Sequence, residues 1–200
     1  DQVRLPHRTH AGIEQARGEF VVLLVQDALP VSEDWIEQLT RPLVLDPLLA
    51  GTFARQVPRA DASALTRHQL EQWVANGTVG WTSRLPGGRA QLDAMTPMER
   101  LLRCAFDNVA SCVRRSTWER HPFRATPIAE DLEWSRDVLL AGHSVAFVPE
   151  ATVIHSHDRS AWYEYARTTA VHERLSDLFD LQTVPTLPAL VRAVLSSTAV

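Results

Sequence analysis

Three short stretches of this 200-residue chain gather side chains that could do chemistry. The first is Gln26-Asp27, which ends the apolar run Phe20-Val21-Val22-Leu23-Leu24-Val25 and is followed closely by Pro30. A carboxylate delivered at the end of a buried strand stands where open α/β sheets build their sites. A hard divalent cation takes such oxygen ligands and bridges them to substrate phosphates; a plain turn or cap role for Asp27 is the alternative. The second is Glu130-Asp131, at the start of a helical pattern. A carboxylate there could take a hydroxyl proton as a general base. Neighbours on a helix do not share a face, so one acid would be the base and the other would orient or cap. Two acids that only complement the helix dipole are the alternative. The third is His155-Ser156-His157, at the exit of another strand pattern. In extended chain, residues i and i+2 point to one side, so two imidazoles could ligate a metal. That spacing alone is a weak signal, strengthened here because Asp27 also leaves a strand.

Arg55, Arg59, Arg114 and Arg115 are the candidates for holding phosphate. Arg55 and Arg59 lie at a strand exit and are better placed; solvated surface arginines are the alternative. Trp118, Trp134 and Trp162 could stack on sugar rings. The helical spacing around Trp134 and Trp162 assigns those two to the core and leaves Trp118 open.

Positioning such groups takes a frame. Strands are expected at 20–25, 49–54, 106–113, 145–148 and 151–154, the first buried on both faces and the last two separated by Pro149-Glu150. A helix over about 33–44 has Ser32 as its N-cap and Trp35, Ile36, Leu39 and Leu43 as its apolar face. Another is expected near 64–75. Thr96-Pro97-Met98-Glu99 has the form of a capping box, Ser116–Glu119 that of a helical turn, and 129–141 that of a helix stopped by Gly142. Helical spacing returns over 160–180, and residues 184–200 form an apolar pattern around Leu187, Leu190, Val191, Val194 and Leu195. Strands alternating with helices argue for an α/β sheet.

Composition narrows the function classes. The chain is 45% hydrophobic and 22% charged, which suits a packed core and not disorder. A net charge of -4 and a pI near 6.1 give no electrostatic footprint for nucleic acid. Phosphate binding would then rest on a local metal or a few arginines. Two cysteines, Cys104 and Cys112, are too sparse for a disulfide framework. No run of 18 apolar residues occurs in these 200 residues.

Taken in order, several stretches resemble a family 2 inverting glycosyltransferase of the GT-A fold, in its rhamnosyltransferase-like branch. They are Ala16–Pro30, Ser32–Trp35, Gly51–Arg59, Phe106–Trp118, Ala129–Asp131, and Ala141-Gly142 through Pro149–Ala151 to His157. The likeness covers about residues 8–160. It implies a mostly parallel sheet flanked by helices, as a partial GT-A domain over 1–160 with a helical extension over 161–200 packed on it. It implies a nucleotide-diphosphate sugar as donor and Mg2+ or Mn2+ as cofactor. The acceptor would be a hydroxyl of a cell-surface glycan or lipid-linked saccharide, in cell-wall polysaccharide synthesis. Asp27 matches the last acid of the family's metal motif, Asp131 fits the base beside Glu130, and His155, with His157 behind it, fits the completing metal ligand. Gln26, Arg55, Arg59 and Arg115 join the donor-binding set. A cytoplasmic location at the inner face of the membrane, with peripheral membrane association, follows from the same resemblance.

The sequence departs from that pattern. Val25-Gln26-Asp27 keeps only the last acid of the motif, and Thr9-His10 stand where the family has an Arg-Asn pair. The family's first strand would precede residue 1, so an N-terminally truncated copy is expected. The rival expectations are a metal-dependent nucleotidyltransferase and a degenerate domain that binds a glycan or partner without catalysis.

Overall fold

The computed structural model describes residues 12–183, together with 186 and 188. The expectations on Thr9-His10 and on Leu187, Leu190, Val191, Val194 and Leu195 lie outside the described residues. A short helical stretch at 12–15 leads into β1 (Phe20–Leu24), then β2 (Leu29–Pro30), α1 (Trp35–Leu45) and β3 (Leu49–Val57). Next come α2 (Ala64–Glu71), a 3-10 turn (Val74–Asn76), β4 (Trp81–Ser83), α3 (Gly88–Asp93) and α4 (Pro97–Arg103). The chain continues through β5 (Ala110–Arg114), α5 (Arg115–Arg120), α6 (Glu130–Leu140), β6 (Ser144–Ile154) and α7 (Ala161–Phe179).

The strands form one sheet in the order β1-β5-β3-β6-β2, with β4 also on β6. The expectation of a mostly parallel sheet is corrected here. Among the described residues only β3 and β6 pair in parallel, while β1–β5, β3–β5, β2–β6 and β4–β6 are antiparallel. The long excursion from 58 to 109 causes much of this. It returns to the end of the sheet where β3 finished, so β5 enters from that end and runs against both neighbours.

Two apolar layers sandwich the sheet. Trp35, Leu39 and Leu43, spaced at four residues on α1, pack on Leu49, Ala54, Cys112, Ala146 and Val148. On the other face, Phe53, Phe106, Phe147 and Trp134 form a ring cluster with Val113, Val145 and the α7 residues Leu175 and Phe179. Successive residues Val145 to Val148 alternate between the layers, as a strand requires. Gly51 lets β3 approach this cluster. A Cβ there would stand 3.0 Å from the Cys112 carbonyl, the Phe106 ring and the Trp134 ring.

Other expectations also shift. β1 lies at a sheet edge among the described strands and only Val21 of it is buried, so it is not covered on both faces. The expected strand 106–113 begins at Ala110, because Asp107 Oδ1 accepts from the Val109 N–H and turns the chain first. Strands 145–148 and 151–154 are one strand whose pairing with β3 jumps from Val148 to Thr152, past the proline that cannot donate. The N-cap of α1 is Asp34, without a side-chain cap bond, and Ile36 is exposed. The helix expected near 64–75 stops at Glu71 and resumes as the 3-10 turn. Trp134 and Trp118 are buried, whereas Trp162 is exposed and belongs to no core. Thr96 and Glu99 make both halves of the capping box. Gly142 takes the positive φ of 90° that ends α6. Cys104 and Cys112 are buried and free, and burial pushes both thiols up to about 12.

Candidate functional site

Three elements deliver the first cluster. β1 ends at Leu24, and the Val25 N–H donates to the Val109 carbonyl at 3.0 Å while Ala28 N–H closes a turn on Val25. That turn presents Asp27. β6 leaves the sheet beside β3, with the His155 N–H donating to the Val57 carbonyl at 2.9 Å, and presents His155 and His157. His157 Nε2 lies 2.9 Å from Asp27 Oδ2, and His155 Nε2 lies 3.7 Å from Asp27 Oδ1. One ligand atom from each of the three residues falls within 4.8 Å of the others.

His155 is oriented from behind. Its Nδ1 is 3.2 Å from Oε1 of the buried Gln56. With that oxygen accepting, the ring proton sits on Nδ1 and the Nε2 lone pair turns towards Asp27. Burial, then the neighbouring His157, holds the His155 pKa below its usual value, against the pull of Asp27 and Asp107. A neutral imidazole is the form that ligates a cation. One carboxylate oxygen and two imidazole nitrogens are a donor set that could hold a divalent cation.

Arg59 straps this cluster. Its Nη2 donates to the Asp27 carbonyl at 2.6 Å and its backbone N–H to Ser156 Oγ at 3.0 Å. Arg55 lies on the same end of β3, with its Nε donating to the Asn76 carbonyl. Gln26 is exposed beside Asp27. Arg115 is not brought to this end. Its N–H bonds the Glu19 carbonyl, before β1 begins, and its Nε pairs with Glu119. Arg114 is likewise spent on the Leu43 and Leu49 carbonyls and Glu19.

The acid pair opens α6 beside the start of β5. Ala129 precedes it in the left-handed region, at φ 59° and ψ 34°, with no side-chain cap. Asp131 Oδ1 accepts from the Leu132 N–H at 2.8 Å and Oδ2 from the Asn108 N–H at 3.2 Å. Burial pushes the Asp131 carboxyl well above the usual carboxylate range, reinforced by the charges of Glu130 and Asp107. Asn108 adjoins Val109, which bonds Val25, so the base candidate and the Asp27 turn share one end of the sheet.

The sequence reading missed Asp107. Its carboxylate acts on both Asp131 and His155, and it is pinned by the Trp73 indole N–H at 2.8 Å and by the Val109 N–H at 2.9 Å. The available signal was an acid just before an apolar strand, the mirror image of Asp27 just after one. It becomes informative only once β5 is known to start at the site end. Gln56 was equally hidden, as one polar residue in a strand exit.

The proteins to which this chain is similar are glycosyltransferases. In particular, the O-antigen chain rhamnosyltransferase RfbN of Salmonella typhimurium is 28% identical over 154 residues, 74% of this chain and 45% of that protein. The O-antigen chain rhamnosyltransferase WbaN of Salmonella anatum is 28% identical over 164 residues, 80% of this chain and 48% of its own length. The chain thus spans about half the length of the curated relatives it matches. Among solved structures, the mannosyltransferase PcManGT of Pyrobaculum calidifontis, in complex with GDP-Man and Mn2+, superposes with a TM-score of 0.59 at 16% identity. The match covers 100% of this chain and 56% of that one, and it is a likeness of fold. No family model matches.

Proposed function

We propose that this chain carries the site of an inverting glycosyltransferase of the family 2, GT-A type. It would move a sugar, rhamnose first among the candidates, from a nucleotide-diphosphate donor to a hydroxyl of a cell-surface glycan or lipid-linked saccharide. One observation carries the reading: Asp27, His155 and His157 form a cation-sized cluster at the same end of the sheet as a half-buried carboxylate, Asp131. The names of the relatives support the chemical class.

Asp27, His155 and His157 would hold Mn2+, which when bound neutralises charge on the departing diphosphate. Arg59 fixes the Asp27 turn and offers the rest of its guanidinium fork to phosphate. Asp131 takes the proton of the acceptor hydroxyl as that oxygen bonds to the anomeric carbon. The bond from the anomeric carbon to the diphosphate oxygen breaks, and the configuration inverts. The raised Asp131 pKa suits this work, because a base near the working pH is the stronger proton acceptor. Glu130 and Asp107 help to sustain it. The reading places the enzyme in the cytoplasm, at the inner face of the membrane where a lipid-linked acceptor would be met. Among the described residues, no helix is long and apolar enough to cross a membrane.

The test is donor hydrolysis by the full-length protein, with manganese present, against a panel of nucleotide-diphosphate sugars that includes rhamnose. Expected is release of nucleoside diphosphate from one donor class, abolished by chelator and restored by Mn2+. Hydrolysis of no donor by a folded, manganese-loaded protein would remove the reading.

A further inference from the structure

The first turns of α7 leave the body of the protein. From Trp162 to Thr169 every described side chain is exposed or half-buried, and burial resumes only at Leu175 and Phe179. Trp162 is 76% and Tyr165 65% accessible, yet the two rings are stacked on each other, with centroids 5.7 Å apart and planes 26° from parallel. They sit at i and i+3, one helical face. The adjacent Tyr163 ring is covered by the Arg159 guanidinium at 5.2 Å. The open aromatic surface is therefore the Trp162–Tyr165 pair.

This pair is joined to the cation cluster by a short, fastened segment. Only residues 158–161 separate Trp162 from His157, about 17 Å of chain even if fully extended. Asp158 accepts from the Ser63 N–H, the Ser63 hydroxyl and the Thr66 hydroxyl, which anchors the segment to α2. Ser160 caps α7 by accepting from the Tyr163 N–H. An exposed, stacked aromatic pair is thus tethered within that length of the cation cluster.

We propose that Trp162 and Tyr165 form a saccharide-binding platform that receives a sugar ring of the acceptor glycan; this rests on the transfer reading above. A pyranose presents one face of C–H bonds with hydroxyls around its rim. The C–H face matches the electron-rich face of an aromatic ring, and the hydroxyls need charged or polar neighbours. On that helical face Thr168 and Thr169 follow Tyr165 at i+3 and i+4, and their hydroxyls offer both donors and acceptors. A lipid surface fits less well. Residues 162–170 contain no Leu, Ile, Val, Met or Phe to enter the acyl boundary. Residues 159–170 hold two arginines, Arg159 and Arg167, and one glutamate, far from a polybasic lipid-binding cluster.

The first measurement follows the Trp162 indole N–H resonance of the full-length protein, assigned by its loss in Trp162→Ala. The methyl glycosides of rhamnose, mannose and galactose are titrated at millimolar concentrations, and neutral and anionic phospholipid vesicles separately. Expected is a saturable shift with at least one glycoside that Tyr165→Ala weakens. The second measurement is kinetic: in Trp162→Ala/Tyr165→Ala the acceptor KM should rise by about tenfold or more, with a smaller change in kcat. Both side chains are exposed, so the melting temperature should hold. No shift with any glycoside overturns the platform, as does a response to vesicles alone. Glycoside shifts without donor hydrolysis would keep the platform and remove the transfer reading. Donor hydrolysis without glycoside shifts would do the reverse.

Discussion

Asp131 keeps its carboxyl raised by burial and by two acidic neighbours, so in the folded protein its charge is costly. A carboxyl raised above its unfolded value contributes stability below about pH 4, and that contribution is lost as the pH climbs through the raised value. Asp131→Asn removes this penalty. The melting temperature of the variant relative to wild type should therefore increase from about pH 4 to about pH 7 in thermal scans. Turnover of the same variant should fall by ~10²–10⁴-fold, and wild-type turnover should decline as pH drops through a value above the ordinary carboxylate range. Near-normal turnover would exclude Asp131 as the base. Gln56 makes a second residue-scale case. Gln56→Ala frees the His155 ring to rotate, so manganese affinity by calorimetry should weaken by ~10–100-fold. Unchanged affinity would show that the ring is held by its packing alone.

At the scale of elements, what was legible in the sequence was local. The Thr96–Glu99 capping box, the Gly142 stop and the Trp35–Leu39–Leu43 stripe are each written within a dozen residues, and each is present. Asp27, His155 and His157 could be chosen because each leaves a strand pattern. Strand direction was not legible, since the sense of β5 depends on where the excursion over 58–109 returns, not on the composition of Ala110–Arg114. Nor was the burial of β1, because apolar content does not say whether a neighbour exists on both sides. Trp162 misled for a related reason: helical spacing shows that a face exists but not what covers it. Gly51 carries the element-scale prediction. Any side chain there pushes β3 off the Cys112 carbonyl and the Phe106 and Trp134 rings, so Gly51→Ala should cost ~1–3 kcal/mol in denaturant unfolding. A neutral result would mean that the aromatic cluster yields.

For the molecule as a whole, α7 is tied to α6 by charge in an otherwise apolar layer. Glu133 is 5% exposed and pairs with Arg174 of α7, while Arg124 and Arg136 stand 3.6 and 3.8 Å from its Oε1. Removing Arg174 leaves a buried carboxylate with only the two longer contacts. Arg174→Ala should therefore destabilise the protein by roughly 1–3 kcal/mol. It should also speed proteolytic cutting within 155–165, where the chain passes from the cluster to the aromatic pair. Equal cutting rates would show that Leu175 and Phe179 hold the helix without the ion pair.

The left-handed Ala129 has a consequence for what this chain can tolerate under mutation. No side chain caps α6, so the placement of Glu130 and Asp131 is set by a backbone shape that costs a non-glycine residue about 1–2 kcal/mol. A saturation library at codon 129, sorted for folded protein, should return glycine and asparagine enriched and valine, isoleucine and threonine depleted. Glycine should outlast the parent on heating. Whether it also outworks the parent would show how much the reaction gains from a stiff entrance to that helix.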